Sequence, residues 1–340
     1  MKKFLWISIL AAGVLATLTF LLGRFAFPYD GLPSLPAPEL AEGQRGELGI
    51  DKNVNEAAID SYLGREDAVY IDLRMLKDPG NYEAIGGDSY LSGFVEGFEV
   101  VSLPYLVNVS GLPEAVGKTY TGPTLFTETN GNYKANYIES FAILNDLFPK
   151  DKTIFLMCGG GGYAGMMKKM LVSLGWDGSQ IYVVGGYWFY EGEFNVPVKR
   201  TTADGKTVYD FYKVPYHEID FSALTPVPAN GIVKISAKAY DEMIKEKQSF
   251  LVFVDQSGCT TATKMKEFIK DYSETTGVAF YRIMFDDVKN TTLHDYVKYY
   301  PSVAVVKNGE VTAWLKADSD EDADEYNSYE AFSNWLKDNI

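Results

Sequence analysis

Short apolar runs alternate with amphipathic segments along most of the chain, beginning near residue 51. Runs such as Ala68–Asp72 and Thr153–Met157 have the length of buried strands, and Ala164–Leu174 carries apolar residues at helical spacing. Buried strands separated by amphipathic helices are typical of a parallel sheet covered on both faces. The pattern therefore predicts a doubly wound α/β domain over residues 51–198.

The same two periodicities predict the other elements. In the first region, helices are predicted at Asn55–Leu63 and Tyr137–Leu147, and strands at Phe98–Pro104 and Gln180–Val184. In residues 231–340, helices are predicted at Ser236–Glu246, Thr261–Thr275 and Ser328–Lys337, and strands at Ser249–Asp255, Val278–Phe285, Ser302–Lys307 and Val311–Leu315. A second, C-terminal α/β domain follows from this alternation.

The segments between these regions have turn and loop compositions. Residues 199–230 combine an Asp204-Gly205 turn, expected to close a hairpin, with a proline-containing linker. Residues 27–50 are rich in proline and predict a semi-extended spacer. The acidic stretch Asp318–Glu325 predicts a solvated loop.

Residues 1–26 have the pattern of a membrane anchor. Lys2 and Lys3 precede an uncharged stretch, Phe4–Gly23, which Arg24 closes. That is close to the ~20 residues that a helix needs to cross a bilayer. We expect an uncleaved signal anchor; a cleaved signal peptide is the alternative, although its apolar region would be shorter. In both cases the positive N-terminus predicts that the following domains are extracytoplasmic, on a single-pass protein of the cell membrane.

Composition narrows the classes of partner. The 340 residues carry 46 acidic and 31 basic side chains, a formal net charge of −15, which argues against nucleic acid because phosphate binding needs a basic surface. The two histidines, His217 and His294, and the two cysteines lie far apart in sequence, so no metal site is predicted. No cofactor is expected.

Both cysteines directly follow predicted strands and precede predicted helices. Cys158 begins a glycine-rich loop, and a thiolate at such a turn can be stabilised by N–H groups at the start of the helix. Glycines let successive N–H groups converge on one anionic sulfur. The candidate binding residues of this loop are Gly159, Gly160, Gly161, Gly162, Tyr163 and Ala164. The alternative is a tight turn in which Cys158 is a small buried hydrophobe.

Residues 51–195 resemble a rhodanese domain in four segments that occur in order. Tyr70–Arg74 (YIDLR) resembles the early strand motif that ends in Asp-x-Arg, and Ser92–Phe98 (SGFVEGF) resembles the Gly-His-Ile segment, with Phe94 at the histidine. Cys158–Ala164 has the length of the family's active-site loop. Leu174–Trp188 resembles the closing Gly-Gly…Trp pattern. Asp72 and Arg74 are expected to form a structural ion pair, and the aromatic residues 187–190 are expected to pack in the core rather than to line a substrate site.

The resemblance implies sulfur transfer through a persulfide on Cys158, supplied by a small sulfur donor. Many members carry an arginine near the end of the loop, where this chain has Tyr163. Without that cation an anionic donor such as thiosulfate loses ~1.5–3 kcal/mol of charge-assisted binding. Phosphatase relatives need an arginine six positions after the cysteine, where Ala164 stands, so phosphatase activity is excluded. The competing interpretation is a non-catalytic binding or sensing module.

Residues 231–340 resemble a thioredoxin-like domain. The resemblance rests on the strand Leu251–Val254, the turn with Cys259, and the Tyr300–Val303 segment, whose Pro301 the family would hold in the cis form beside the cysteine. The second cysteine of the Cys-x-x-Cys motif is replaced by Ala262, so an internal disulfide cannot cycle.

Three alternatives follow for Cys259: monothiol chemistry with a thiol-bearing protein or with persulfide sulfur, pairing with Cys158, or a residual cysteine in a degenerate binding scaffold. Cys158 and Cys259 are thus the candidate catalytic residues of a sulfur-transfer or thiol-redox protein.

Overall fold

The computed structural model describes residues 32–340. Within that range it contains fifteen strands. They are β1 Ala68–Asp72, β2 Gly93–Val95, β3 Glu99–Val100, β4 Phe126–Thr129, β5 Asn132–Ala135, β6 Thr153–Cys158, β7 Ile181–Gly186, β8 Asn195–Pro197, β9 Lys199–Thr201, β10 Thr207–Tyr209, β11 Ile232–Lys234, β12 Phe250–Asp255, β13 Phe280–Met284, β14 Ser302–Lys307 and β15 Glu310–Trp314. The helices described are α1 Leu103–Leu106, α2 Ser140–Leu147, α3 Gly162–Ser173, α4 Ala237–Lys245, α5 Thr260–Thr276, α6 Phe285–Val288, α7 Ala323–Asn327 and α8 Tyr329–Asn339.

The first unit is built on a four-stranded parallel sheet in the order β3-β1-β6-β7. One face packs against α2 and α3 through residues such as Leu144 and Met167. The other face, including Tyr70 and Phe155, packs against irregular segments that carry Ile59. Both faces of β6 are therefore buried, which explains its unbroken apolar sequence. A mixed α/β fold with a parallel sheet is confirmed.

The second unit is a five-stranded mixed sheet in the order β11-β13-β12-β14-β15. Strands β11, β13 and β12 are parallel, and β14 and β15 are antiparallel to their neighbours. Helices α5 and α8 cover one face, where Met265 and Phe332 are buried. Tyr240 of α4 is buried on the other face. The Tyr300–Pro301 peptide bond is cis, as the resemblance to thioredoxins implies.

Several elements differ from their sequence-based predictions. The predicted helix Asn55–Leu63 contains only a 3-10 turn, Ile59–Tyr62. The predicted strand Phe98–Pro104 forms only at Glu99–Val100. Its last residue, Pro104, lies instead in the first turn of α1, where the missing N–H of a proline costs nothing. The predicted acidic loop Asp318–Glu325 contains a 3-10 turn and the start of α7.

Residues 32–50 do not form the predicted spacer, because they pack against the first unit. The Tyr182 hydroxyl donates to the Pro36 carbonyl at 2.5 Å, and the Arg65 guanidinium donates to the Pro33 carbonyl at 3.2 Å. Ile50 is buried in the core cluster that also contains Cys158. Apolar and hydrogen-bonded contacts override the extended tendency of a proline-rich sequence here.

The predicted anchor, residues 1–26, lies outside the described part of the chain. Within residues 32–340, no helix has both the length and the apolar character needed to cross a membrane.

Candidate functional site

Cys158 ends β6, and its side chain is held by the turn into α3. The Gly161 N–H donates to Cys158 Sγ at 3.1 Å. Gly161 is the N-cap of α3 and has φ +109°, a conformation that L side chains rarely adopt. The strand, the glycine turn and the first turn of α3 therefore bring backbone N–H donors to the Cys158 sulfur.

Burial dominates the electrostatics of this thiol. Cys158 is only 3% exposed. Desolvation raises the pKa of Cys158, although backbone N–H groups of Ala164, Gly161 and Tyr163 act to lower it, and the Asp72 carboxylate raises it further. Burial therefore opposes ionisation of this thiol, while the loop N–H groups favour it, and a stabilised thiolate at Cys158 stays a prediction. The N–H groups reduce the desolvation penalty without overcoming it.

The indole of Trp188 covers the glycine loop. A Cβ atom built on Gly159 would lie 2.4 Å from the Trp188 ring, and one built on Gly87 would lie 2.3 Å from it, so the ring fits between two glycines. Trp188 also donates its backbone N–H to the Gly159 carbonyl at 3.1 Å. Trp188 therefore packs against the loop, but the expectation that residues 187–190 lie in the core is wrong, because none of them is fully buried and Phe189 is 48% exposed.

Tyr163 occupies the loop position at which the resemblance would place an arginine. Its hydroxyl donates to Asp78 Oδ2 at 3.0 Å and shares a 2.8 Å hydrogen bond with the Tyr82 hydroxyl. Burial raises the pKa of the Asp78 carboxyl. Asp78 and Tyr82 were not among the residues predicted from sequence, because no spacing pattern links them to Tyr163.

The Asp72–Arg74 pair lies at the end of β1, beside β6. The Arg74 guanidinium donates from Nε and Nη2 to the Asp72 carboxylate and from Nη2 to the Gly93 carbonyl, and it stacks on the Tyr187 ring at 4.2 Å. Both side chains are buried. The guanidinium is thus committed to Asp72, as expected for a structural pair.

Cys259 has a different environment, although it too follows a buried strand. It is half-buried and is the N-cap of the 17-residue helix α5, where its Sγ accepts the Ala262 N–H at 3.4 Å. Strand β12 ends in fully buried Asp255, whose carboxylate contacts Lys266 Nζ at 2.9 Å and the Arg282 guanidinium. The Tyr326 hydroxyl donates to the carbonyl of cis Pro301 at 2.8 Å.

The two cysteines are free thiols and form no disulfide with each other. Gly277, at the C-terminal end of α5, approaches the first unit so closely that an added Cβ would lie 2.0 Å from the Ala135 carbonyl oxygen. Cys259 lies at the opposite end of that helix, about 26 Å along its axis. The second unit therefore contacts the first with the end remote from Cys259.

Among solved structures, thioredoxins are similar to about a third of this chain. The reduced Schistosoma mansoni thioredoxin pre-protein is 16% identical, matches 32% of this chain and 98% of its own, and has a TM-score of 0.26. Thioredoxin O1 from Arabidopsis thaliana is 14% identical over 32% of this chain and 97% of its own, with a TM-score of 0.26. A second Schistosoma mansoni thioredoxin structure is 17% identical, matches 33% of this chain and 98% of its own, and also has a TM-score of 0.26. Likenesses of this size establish no function.

No family profile matches the chain, and no curated protein matches it. The rhodanese-like assignment of the first unit therefore remains a prediction.

Proposed function

We propose that this chain transfers sulfur through a persulfide on Cys158 and passes it to a thiol of another protein. The observation that carries the proposal is the set of backbone N–H groups directed at the Cys158 sulfur, with Gly161 at 3.1 Å. Such donors are of little use to a neutral thiol, since a thiol is a weak acceptor, but they stabilise a thiolate or a persulfide anion.

The charges around the loop bear on the class of donor. Among the described residues, the Arg74 guanidinium pairs with Asp72 and the Arg45 guanidinium pairs with Glu56. The Tyr163 position brings a carboxyl group, Asp78, instead of a cation. A dianionic donor such as thiosulfate would therefore bind poorly, because a carboxyl group stands where an arginine would attract it.

The acceptor in this proposal is external. Cys259 is separated from the first unit by the length of α5, about 26 Å, so direct transfer from Cys158 to Cys259 within one molecule would need a large rearrangement. The predicted anchor would keep both units on the extracytoplasmic face of the membrane, where a thiol-bearing protein or a small sulfur compound is the expected partner.

The test is intact-mass analysis of the full chain after reduction and exposure to a sulfur donor. We expect a gain of one sulfur atom in the parent protein and in Cys259→Ser, and none in Cys158→Ser. Absence of an adduct on Cys158 with thiosulfate, with a hydropersulfide and with inorganic polysulfide would contradict the proposal.

A second candidate function is redox sensing through a mixed disulfide on Cys259. The observation that favours it is the partial exposure of this thiol at the N-terminus of α5, the end of the helix opposite Gly277. A mixed disulfide with glutathione that forms on Cys259, in a protein whose Cys158 takes up no sulfur, would favour this function over sulfur transfer.

A further inference from the structure

The loop that follows Cys158 consists of four consecutive glycines, residues 159–162. Glycine has the widest choice of backbone conformations and no side chain with which to pack, so the shape of such a loop depends on what packs against it. Trp188 packs against the first two of these glycines. Gly161 is contacted instead by a segment that precedes β1, residues 46–51, which we call the brace.

Ile50 is the residue of the brace that lies nearest to Gly161. A Cβ atom built on Gly161 would lie 3.0 Å from Ile50 Cδ1 and 3.3 Å from Ile50 Cγ1, so the isoleucine side chain packs directly against the glycine. Ile50 is 4% exposed and belongs to the core cluster that contains Cys158. Gly161 is also the residue whose N–H donates to Cys158 Sγ at 3.1 Å. Ile50 therefore packs on the residue that supplies a hydrogen bond to the sulfur.

The backbone of the brace is held on both sides of Ile50. After it, the Asp51 N–H donates to the Val183 carbonyl of β7 at 2.8 Å. Before it, the Leu48 carbonyl oxygen lies so close to α3 that a Cβ built on Gly165 would be 1.9 Å away. The brace is thus fixed to the strand beside β6 and to the helix that the loop enters, and this gives Ile50 a defined position against the loop.

The position of Gly161 matters because a hydrogen bond weakens steeply when its donor turns away from the acceptor. Gly161 has φ +109°, which is one of several conformations open to a glycine that nothing holds. A thiolate or persulfide anion gains more from an N–H donor than a neutral thiol does, since hydrogen bonds to ions are the stronger ones. Displacement of Gly161 would therefore disfavour the anionic sulfur.

We propose that Ile50 is a positioning residue for the Cys158 sulfur, because it holds Gly161 in the conformation that directs its N–H at the anion. This inference rests on the sulfur-transfer function proposed above and adds the residue that keeps a donor of the thiolate and the persulfide in place. Ile50 carries no charge, so it acts on the sulfur through the position of Gly161. The brace thereby makes the chain before β1 part of the site.

The experiment follows the ionisation of Cys158 in the full chain, by the NMR chemical shift of its isotopically labelled Cβ atom as a function of pH. Cys158→Ser assigns the signal. The variants are Ile50→Val, which removes Cδ1, the atom nearest to Gly161, and Ile50→Ala, which removes most of the contact. We expect the midpoint to rise by about half a pH unit in Ile50→Val and by about one unit in Ile50→Ala, because the hydrogen bond to the thiolate weakens. Looser packing alone would admit water and lower the midpoint, since burial raises the pKa of the Cys158 thiol.

Ile59→Val and Ile59→Ala are the matched controls, because Ile59 is fully buried in the same unit, in the core cluster on the other face of the sheet. They should lose stability in thermal unfolding as the Ile50 variants do, and keep the midpoint within about 0.2 pH unit of the parent. A folded Ile50→Ala protein with the parent midpoint, or a lower one, would overturn the proposal. If Ile50→Ala does not fold, Ile50→Val decides by the same criterion. A parent whose Cys158 stays protonated up to about pH 11 would also overturn it, because no anion would then be held there.

Persulfide formation on Cys158, measured by intact mass in the same samples, tests the proposed function separately. A midpoint that rises in the Ile50 variants, in a chain whose parent takes up no sulfur, would support the positioning role and remove sulfur transfer. A parent that loads sulfur, with an unchanged midpoint in both Ile50 variants, would keep the function and overturn the role of Ile50.

Discussion

The Cys158 edge and the Cys259 edge share a local plan and differ in their surroundings. Each cysteine follows a buried strand and precedes a helix, and each edge has a fully buried aspartate at a strand end, Asp72 or Asp255. Cys158 is buried beside a glycine loop against which Trp188 packs, whereas Cys259 is half-buried at the end of α5 opposite Gly277. The strand–cysteine–helix arrangement thus positions a thiol at both edges, while the packing of residues distant in sequence sets how deeply each thiol is buried.

The largest expected effect concerns the two buried aspartates. Arg74→Leu leaves the Asp72 carboxylate without its cation, and we expect a loss of about 3–5 kcal/mol in the free energy of unfolding. Lys266→Met leaves Arg282 on Asp255, so the expected loss is about 1 kcal/mol. Urea unfolding of both variants, compared at equal m-values, checks this order, and equal losses would show that Arg74 is not the main counter-charge of Asp72.

The next prediction compares the two thiols directly. With iodoacetamide at neutral pH, we expect Cys259 to be alkylated about 100-fold faster than Cys158, since reaction of a buried thiol requires local opening. Peptide mass spectrometry over time gives both rates in one sample. In denaturant the two rates should become similar, and a fast Cys158 in the native protein would contradict the buried environment described above.

A third prediction uses two glycines of the same loop. Gly159→Ala places a methyl group 2.4 Å from the Trp188 ring, so the ring must move, and we expect a destabilisation of about 1–3 kcal/mol together with faster alkylation of Cys158. Gly162→Ala is the matched control, because no atom lies within 4 Å of its added Cβ. Thermal unfolding and alkylation rates check both variants, and equal behaviour would mean that Trp188 does not seal the loop.

The local plan of both edges could be predicted from sequence, and the seal over Cys158 could not. Apolar runs and glycines are local signals, so β6, α3 and β12 were predicted nearly to their ends. Trp188 and Tyr82 reach the loop from 29 to 76 residues away in sequence, and one sequence contains no pattern that pairs them with Cys158. The β4–β5 hairpin was missed although Asn130-Gly131, both at positive φ, is a recognised turn signal.

The smallest expected effect is a pH dependence of stability at the Cys158 edge. Burial raises the folded-state pKa of Asp78 above its ordinary value of 3.8, so between these two values the folded chain binds more protons than the unfolded chain. The free energy of unfolding contributed by this group is therefore greatest below pH 3.8 and decreases as pH rises through the folded-state pKa.

Asp78→Asn removes the titration while its side-chain oxygen can still accept the Gly80 and Tyr163 hydrogen bonds. We expect its unfolding free energy to decline less than that of the parent as pH is raised from the acid side toward neutrality, measured by urea unfolding at a series of pH values. Parallel curves for parent and variant would show that Asp78 is as well solvated in the folded chain as in the unfolded one, which would contradict the burial described for it.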